Sequence, residues 1–168
     1  VLTADKRLAC VAGTTLSATL ALMNQRGDDR VKSATFFTTL TDFSDQGEFM
    51  TFLQDDFVGG IEDEVERTGY LSAQLMQRTF SFLRANDLVW GPAIRSYMLG
   101  EAPPAFDLLY WNSDSTNLPG PFYAWYLRNT YFENKLIQPG KAKVCGEKID
   151  LGKLDLPIYI YGSREDHI

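Results

Sequence analysis

In a chain of 168 residues, three side chains stand where chemistry is possible: Cys10, Asp166 and His167. Cys10 sits in Leu8-Ala9-Cys10-Val11-Ala12-Gly13, at the junction between a predicted strand and a predicted helix. A tight turn at such a junction exposes a nucleophile at the helix N-terminus. The helix dipole there favours a thiolate, and the next backbone N–H, that of Val11, can stabilise an oxyanion. The same small-residue turn also suits a buried, inert cysteine, and the local sequence leaves both readings open. Asp166 follows a predicted strand at the place an acid takes in the chain order nucleophile, acid, base. Ser163-Arg164-Glu165-Asp166 would equally make a solvated polar turn. His167 is the only histidine. It is a poor base for this pair, because adjacent side chains diverge while acid and thiol must approach opposite ring nitrogens. It reads as a loop or pocket histidine, so nucleophile and acid are placed without a base.

A second concentration of chemistry is the segment 106–136, where many aromatics flank Trp111-Asn112-Ser113-Asp114-Ser115-Thr116-Asn117. Asn, Asp and Ser in succession form turns, and rings with polar groups between them compose a pocket that orients a small molecule. An aromatic core element with a long turn has the same composition.

Positioning Cys10 requires a strand, a sharp turn and a helix in succession. Residues 14–26 place Leu16, Leu20 and Met23 at helical spacing, with Gly27 as a stop. Residues 31–40 are β-branched and aromatic, which predicts a buried strand, and Pro157-Ile158-Tyr159-Ile160-Tyr161 predicts another. Together these make an α/β unit with a right-handed crossover. Residues 43–150 differ in character. Helices are predicted over 61–67, 72–84 and 88–99, with Gly69 and Gly100 as stops and a kink at Gly91-Pro92. Pro119-Gly120-Pro121 starts a fourth helix, on which Phe122, Trp125, Asn129, Phe132 and Leu136 share a face. A hairpin is expected around Gly146. The chain therefore divides into an α/β core over 1–42, an inserted, mainly helical cap over 43–150, and a returning core strand over 151–168.

Composition excludes several classes. The hydrophobic fraction of 45% suits one domain with a proper core. A formal charge of -6 leaves no basic stripe for a nucleic acid. No apolar run reaches the roughly 20 residues of a membrane span, so a soluble, cytoplasmic protein is expected. Cys10 and Cys145 read as thiols, since a domain with its own core needs no disulfide. The chain opens without Met and stops just after an apolar run, and is expected to be a segment of a longer protein.

The blocks FDLLYWNSDSTNLPGPFYAWYLRNTYFENKL, VCGEKIDL and PIYIYGSREDHI, preceded by FFTTLTDFSDQGE and FLRANDLVW, closely resemble the class I polyhydroxyalkanoate (polyhydroxybutyrate) synthases over nearly the whole chain. The resemblance implies an α/β-hydrolase core with an inserted cap. It also implies an acyltransferase that polymerises (R)-3-hydroxyacyl-CoA, here 3-hydroxybutyryl-CoA, into polyester with release of CoA and without a cofactor. Cys10 matches the family's nucleophile and Asp166 its catalytic aspartate, while the catalytic histidine falls beyond Ile168. Trp111, Asn134 and His167 match positions that line the substrate pocket. The implied partners are the growing polyester chain, the granule surface and a second subunit. One departure stands out: the family pattern is G-x-C-x-G-G, and here Leu8 and Ala12 replace two of the glycines. A thioesterase using the same nucleophile and a catalytically decayed homologue are the alternatives.

Overall fold

A computed structural model describes residues 4–103 and 114–164, which form two compact units, Val1–Leu53 with Tyr126–Ile168 and Gln54–Trp125. The strands among the described residues are β1 (Ala4–Ala9), β2 (Val31–Phe37), β3 (Tyr70–Leu71), β4 (Leu118–Pro119), β5 (Lys143–Val144), β6 (Glu147–Lys148) and β7 (Ile158–Tyr161). Helix α1 spans Cys10–Gln25, α2 Asp55–Thr68 and α3 Ala73–Leu83.

The first unit is built on a three-stranded parallel sheet in the order β1-β2-β7. Helix α1 joins β1 to β2. It buries Leu16 and Leu20 against Ala34 and Phe36 of β2, with Met23, Val31, Leu154 and Leu156 packed around them. Residues 16, 20 and 23 recur at helical spacing and 34 and 36 at strand spacing, so the two periods read from sequence meet in one cluster. The helix begins at Cys10, four residues before the predicted start, because the chain turns directly from Ala9 into it. Gly27, at φ +69°, ends it as expected.

Gly13 is needed for space rather than for conformation. A Cβ there would lie 2.0 Å from Thr39 Oγ1, 2.7 Å from its Cγ2 and 2.9 Å from its Cβ. All three atoms cannot be relieved by one rotamer change. Gly13→Ala is therefore expected to destabilise by about 1–3 kcal/mol, as overpacking does. The shift of the urea unfolding midpoint measures it, and an unchanged midpoint would mean that the segment after β2 yields freely.

Strand β7 is not the buried strand its composition predicts. All four of its residues are exposed, Ile160 at 69%, because it is the sheet's edge and neither face is covered among the described residues. Strands β5 and β6 form the expected hairpin. Its two-residue turn, Cys145 and Gly146 at φ +50° and +82°, has the left-handed pair that matches the twist of the flanking strands.

The second unit obeys end-capping chemistry. Asp55 and Asp56 open α2 and Arg67 lies in its last turn, complementing the helix dipole. Gly69, at φ +81°, closes it by donating its N–H to Val65 O at 2.7 Å. Ser72 caps α3, accepting from Gln74 N at 3.2 Å. A Cβ on Gly120 would sit 2.5 Å from Val65 Cγ1 and 2.9 Å from the Gly69 backbone, so glycine lets the chain pass there. Residues 86–98 run helically through Gly91-Pro92, with π-helical turns on both sides of Gly91–Ala93. The wider π turns stand where a proline kink was expected; in such turns a missing N–H is accommodated by shifting the bonding pattern.

The helix Gly120–Leu127 continues into a π turn, Arg128–Phe132, and stops at Asn134 in the left-handed region. Of the predicted face, Leu136 is buried but Phe122 is 39% exposed, and Tyr126, Leu127 and Thr130, outside that face, are buried as well.

Candidate active site

Cys10 is the first residue of α1, its φ is +51° and its thiol is exposed. A left-handed, non-glycine residue between a strand and a helix is costly backbone, and it persists where surrounding structure enforces it, often at reactive sites. The turn lifts the side chain of Cys10 clear of the sheet. It also leaves the first backbone N–H groups of α1, including that of Val11, without intrahelical acceptors. The sequence left open whether this cysteine is inert and buried. It is exposed, at the C-terminal end of the sheet.

The segment 38–43, which leaves the end of β2, straps over the first turn of α1. Thr38, at φ +45°, donates its N–H to Tyr161 O at 2.7 Å. Thr39 fills the space left by Gly13. Thr14 Oγ1 donates to Leu40 O at 2.5 Å. The strap ends at Phe43, which is 1% exposed.

Asn134 holds that far end. Its Oδ1 accepts the Phe43 N–H at 3.0 Å, and its Nδ2 donates to Asp42 Oδ1 at 2.9 Å. Asn is one of the few side chains that tolerate φ +45°. The bond from Asn134, aided by the Ser44 backbone N–H at 3.0 Å, holds the Asp42 carboxyl below its ordinary range.

Around Phe43 the rings pack edge-on. Tyr131 lies 4.7 Å from it at 61°, Tyr126 lies 6.4 Å away at 90°, and Phe49 lies 5.2 Å from Tyr131 at 74°. Such pairs add to area burial through ring quadrupoles. Gln46 Nε2 donates to both Phe43 O at 2.5 Å and Tyr131 O at 2.7 Å, stapling the two segments. Burial pushes the Tyr131 phenol above its ordinary pKa, and a charge on Cys10 adds to the effect.

Of the residues singled out in the sequence, Cys10, Val11 and Asn134 fall in this one unit. Trp111, Asp166 and His167 lie outside the described residues. The register places Phe37 beside both Ala9 and Tyr161. Strand β7, which precedes Asp166 in sequence, thus ends at the same side of the sheet as the strand that delivers Cys10. Sequence reasoning missed Thr14, Thr39, Asp42 and Tyr131.

No helix among the described residues is long and apolar enough to cross a membrane. No family model matches the chain. It is similar to the protein named poly(3-hydroxyalkanoate) polymerase subunit PhaC of Cupriavidus necator, with 48% identity over 164 residues, covering 95% of this chain and 28% of that protein. The subunit of the same name from Rhizobium meliloti is 45% identical over 159 residues, covering 95% of this chain and 26% of that protein. A poly(3-hydroxyalkanoate) polymerase of Methylorubrum extorquens is 42% identical with the same coverage, 95% and 26%. The chain thus spans about a quarter of the length of these relatives.

Proposed function

We infer that this chain belongs to the poly(3-hydroxyalkanoate) polymerases, as the segment that bears their thiol nucleophile, and that it serves polymerisation of (R)-3-hydroxyacyl-CoA. The homology to such polymerases covers 95% of the chain. The observation that carries the mechanism is the exposed Cys10, held at φ +51° between the parallel strand β1 and the helix that follows it. On this reading β1, β2 and β7 belong to an α/β-hydrolase core, and residues 43–150 are the cap inserted into it.

The Cys10 thiolate attacks the acyl carbon, a new carbon–sulfur bond forms at the protein, the bond from that carbon to the CoA sulfur breaks, and CoA departs as its thiol with a proton from the enzyme base. One thioester replaces another, so this step is nearly balanced in free energy. The Val11 N–H faces the oxygen that becomes anionic. The hydroxyl of a second hydroxyacyl unit then attacks the enzyme thioester and gives up its proton to the enzyme base, the carbon–sulfur bond to Cys10 breaks to return the thiolate, and an oxoester is left, which is the downhill step. Asp166 supports that base. Trp111 and His167 contact the substrate. Water competes for the acyl-enzyme, so an aromatic surround that excludes it is a chemical requirement. No cofactor takes part. In the full-length protein the partners are the growing polyester, the granule surface in the cytoplasm and a second subunit.

The test is the fate of the acyl group. A full-length polymerase carrying this segment, given 3-hydroxybutyryl-CoA, is expected to release CoA with polymer as the main product. Free 3-hydroxybutyrate in step with CoA would identify a thioesterase instead. The absence of CoA release and of any adduct at Cys10 would identify a decayed homologue, for which Leu8 and Ala12 beside the nucleophile are the sequence grounds.

A further inference from the structure

We propose that Asn134 is a positioning residue for the nucleophile: by pinning the far end of the 38–43 strap it fixes the strap against the first turn of α1 and so holds Cys10 in its left-handed turn. The proposal rests on Cys10 being the nucleophile. It assigns Asn134 a role other than substrate contact, and its grounds are geometric.

Both ends of the Asn134 amide are engaged within the protein, Oδ1 with the Phe43 N–H at 3.0 Å and Nδ2 with Asp42 Oδ1 at 2.9 Å. The strap they hold is short and is tied at its other end to the helix that carries Cys10, through Thr14 Oγ1 to Leu40 O at 2.5 Å and through Thr39 seated on Gly13. Among the described residues of unit 1, four non-glycine residues sit at positive φ, and three of them, Cys10, Thr38 and Asn134, lie at the nucleophile, the start of the strap and its anchor. Strained conformations persist only where neighbouring structure over-determines them. Here the strap is held at Thr38 by Tyr161 O, at Thr39 and Leu40 by Gly13 and Thr14 of α1, and at Asp42 and Phe43 by Asn134. Tyr131 packs edge-on against Phe43 at the anchored end.

The charged groups beside Asn134 have partners of their own. Glu133 pairs with Lys135 and, at 3.9 Å, with Arg128. Asp42 is the carboxylate that faces the amide, and it also accepts from the Ser44 N–H.

The test uses a full-length polymerase carrying this segment. Asn134→Gly keeps the left-handed turn and deletes only the amide. The rate of Cys10 acylation at saturating 3-hydroxybutyryl-CoA is expected to fall about tenfold, since small misplacements remote from the chemistry cost this much or more. The half-saturating concentration should stay unchanged. Without any CoA ester, alkylation of Cys10 by iodoacetamide, followed on the Cys10 peptide by mass spectrometry, should slow in parallel. Asn134→Asp places two carboxylates face to face, which raises the pKa of one of them. Its acylation rate relative to the parent should therefore recover as pH falls and a shared proton restores a hydrogen bond. A raised half-saturating concentration with normal saturated rate and normal alkylation would overturn the proposal, because that is the signature of an amide that touches substrate. If circular dichroism shows that the Asn134 variants do not fold, Asp42→Ala, at an exposed side chain, decides by the same two rates, and parental values for both overturn it. Failure of the parent itself to be acylated would refute the proposed function, while the alkylation rates would still read the strap.

Discussion

Cys10→Ala in a full-length polymerase is expected to abolish acyl-enzyme formation, a loss of about 10⁴-fold or more, as when a covalent nucleophile is removed from an enzyme whose groups act as a unit. The substitution deletes one exposed sulfur and leaves the backbone its own ties: β1 paired with β2 on one side and α1 on the other. Folding stability should accordingly stay within about 0.5 kcal/mol of the parent. Intact-mass analysis after exposure to 3-hydroxybutyryl-CoA measures the first effect, and a urea titration the second. Peptide mapping is part of the measurement, because Cys145 is also an exposed thiol. Its hairpin turn presents it to solvent with none of the strand-to-helix geometry of Cys10. A persistent adduct in the Cys10 variant, on Cys145 or elsewhere, would remove Cys10 from the chemistry.

The largest effect on stability is expected at Phe43. Its side chain is 1% exposed and meets the rings of Tyr126 and Tyr131, while its N–H is the one Asn134 accepts. Truncating a buried phenylalanine costs about 3–5 kcal/mol, from lost transfer free energy and the cavity left behind. Relaxation here is restricted, because Gln46 ties the Phe43 and Tyr131 backbones to one side chain. Phe43→Ala should thus lower the urea midpoint more than Gly13→Ala does, and should slow acylation of Cys10 by releasing the strap. A change below about 1 kcal/mol, well under the usual range, would mean that the aromatic group repacks and that the strap is held without it.

The strand-turn-helix-strand unit was legible in the sequence because its signals are local. Leu16, Leu20 and Met23 repeat at the helical period, residues 31–40 are β-branched and aromatic although the strand ends at Phe37, and Gly27, Gly69 and Gly146 stand where the chain must enter the left-handed region. The candidate nucleophile was legible for the same reason: a cysteine among small residues between a strand and a helix has few conformations open to it. Chain order along family-like blocks supplied the proposed chemistry.

Other features depended on distance in sequence. The burial of a strand is set by what covers it, so β7, with its apolar Ile-Tyr-Ile-Tyr, reads as buried and yet is exposed. The helix from Gly120 buries Tyr126 and Leu127 while Phe122 is exposed, because the segments packed around a helix decide which of its sides is covered. Residue identity alone determined that a thiol would sit at a strand-helix turn. Only tertiary structure decided that Asn134, remote from it in sequence, would hold Asp42 and Phe43 and through them the strap on α1, because side-chain hydrogen bonds between distant segments form only after the sheet and its connections have brought those segments within about 3 Å.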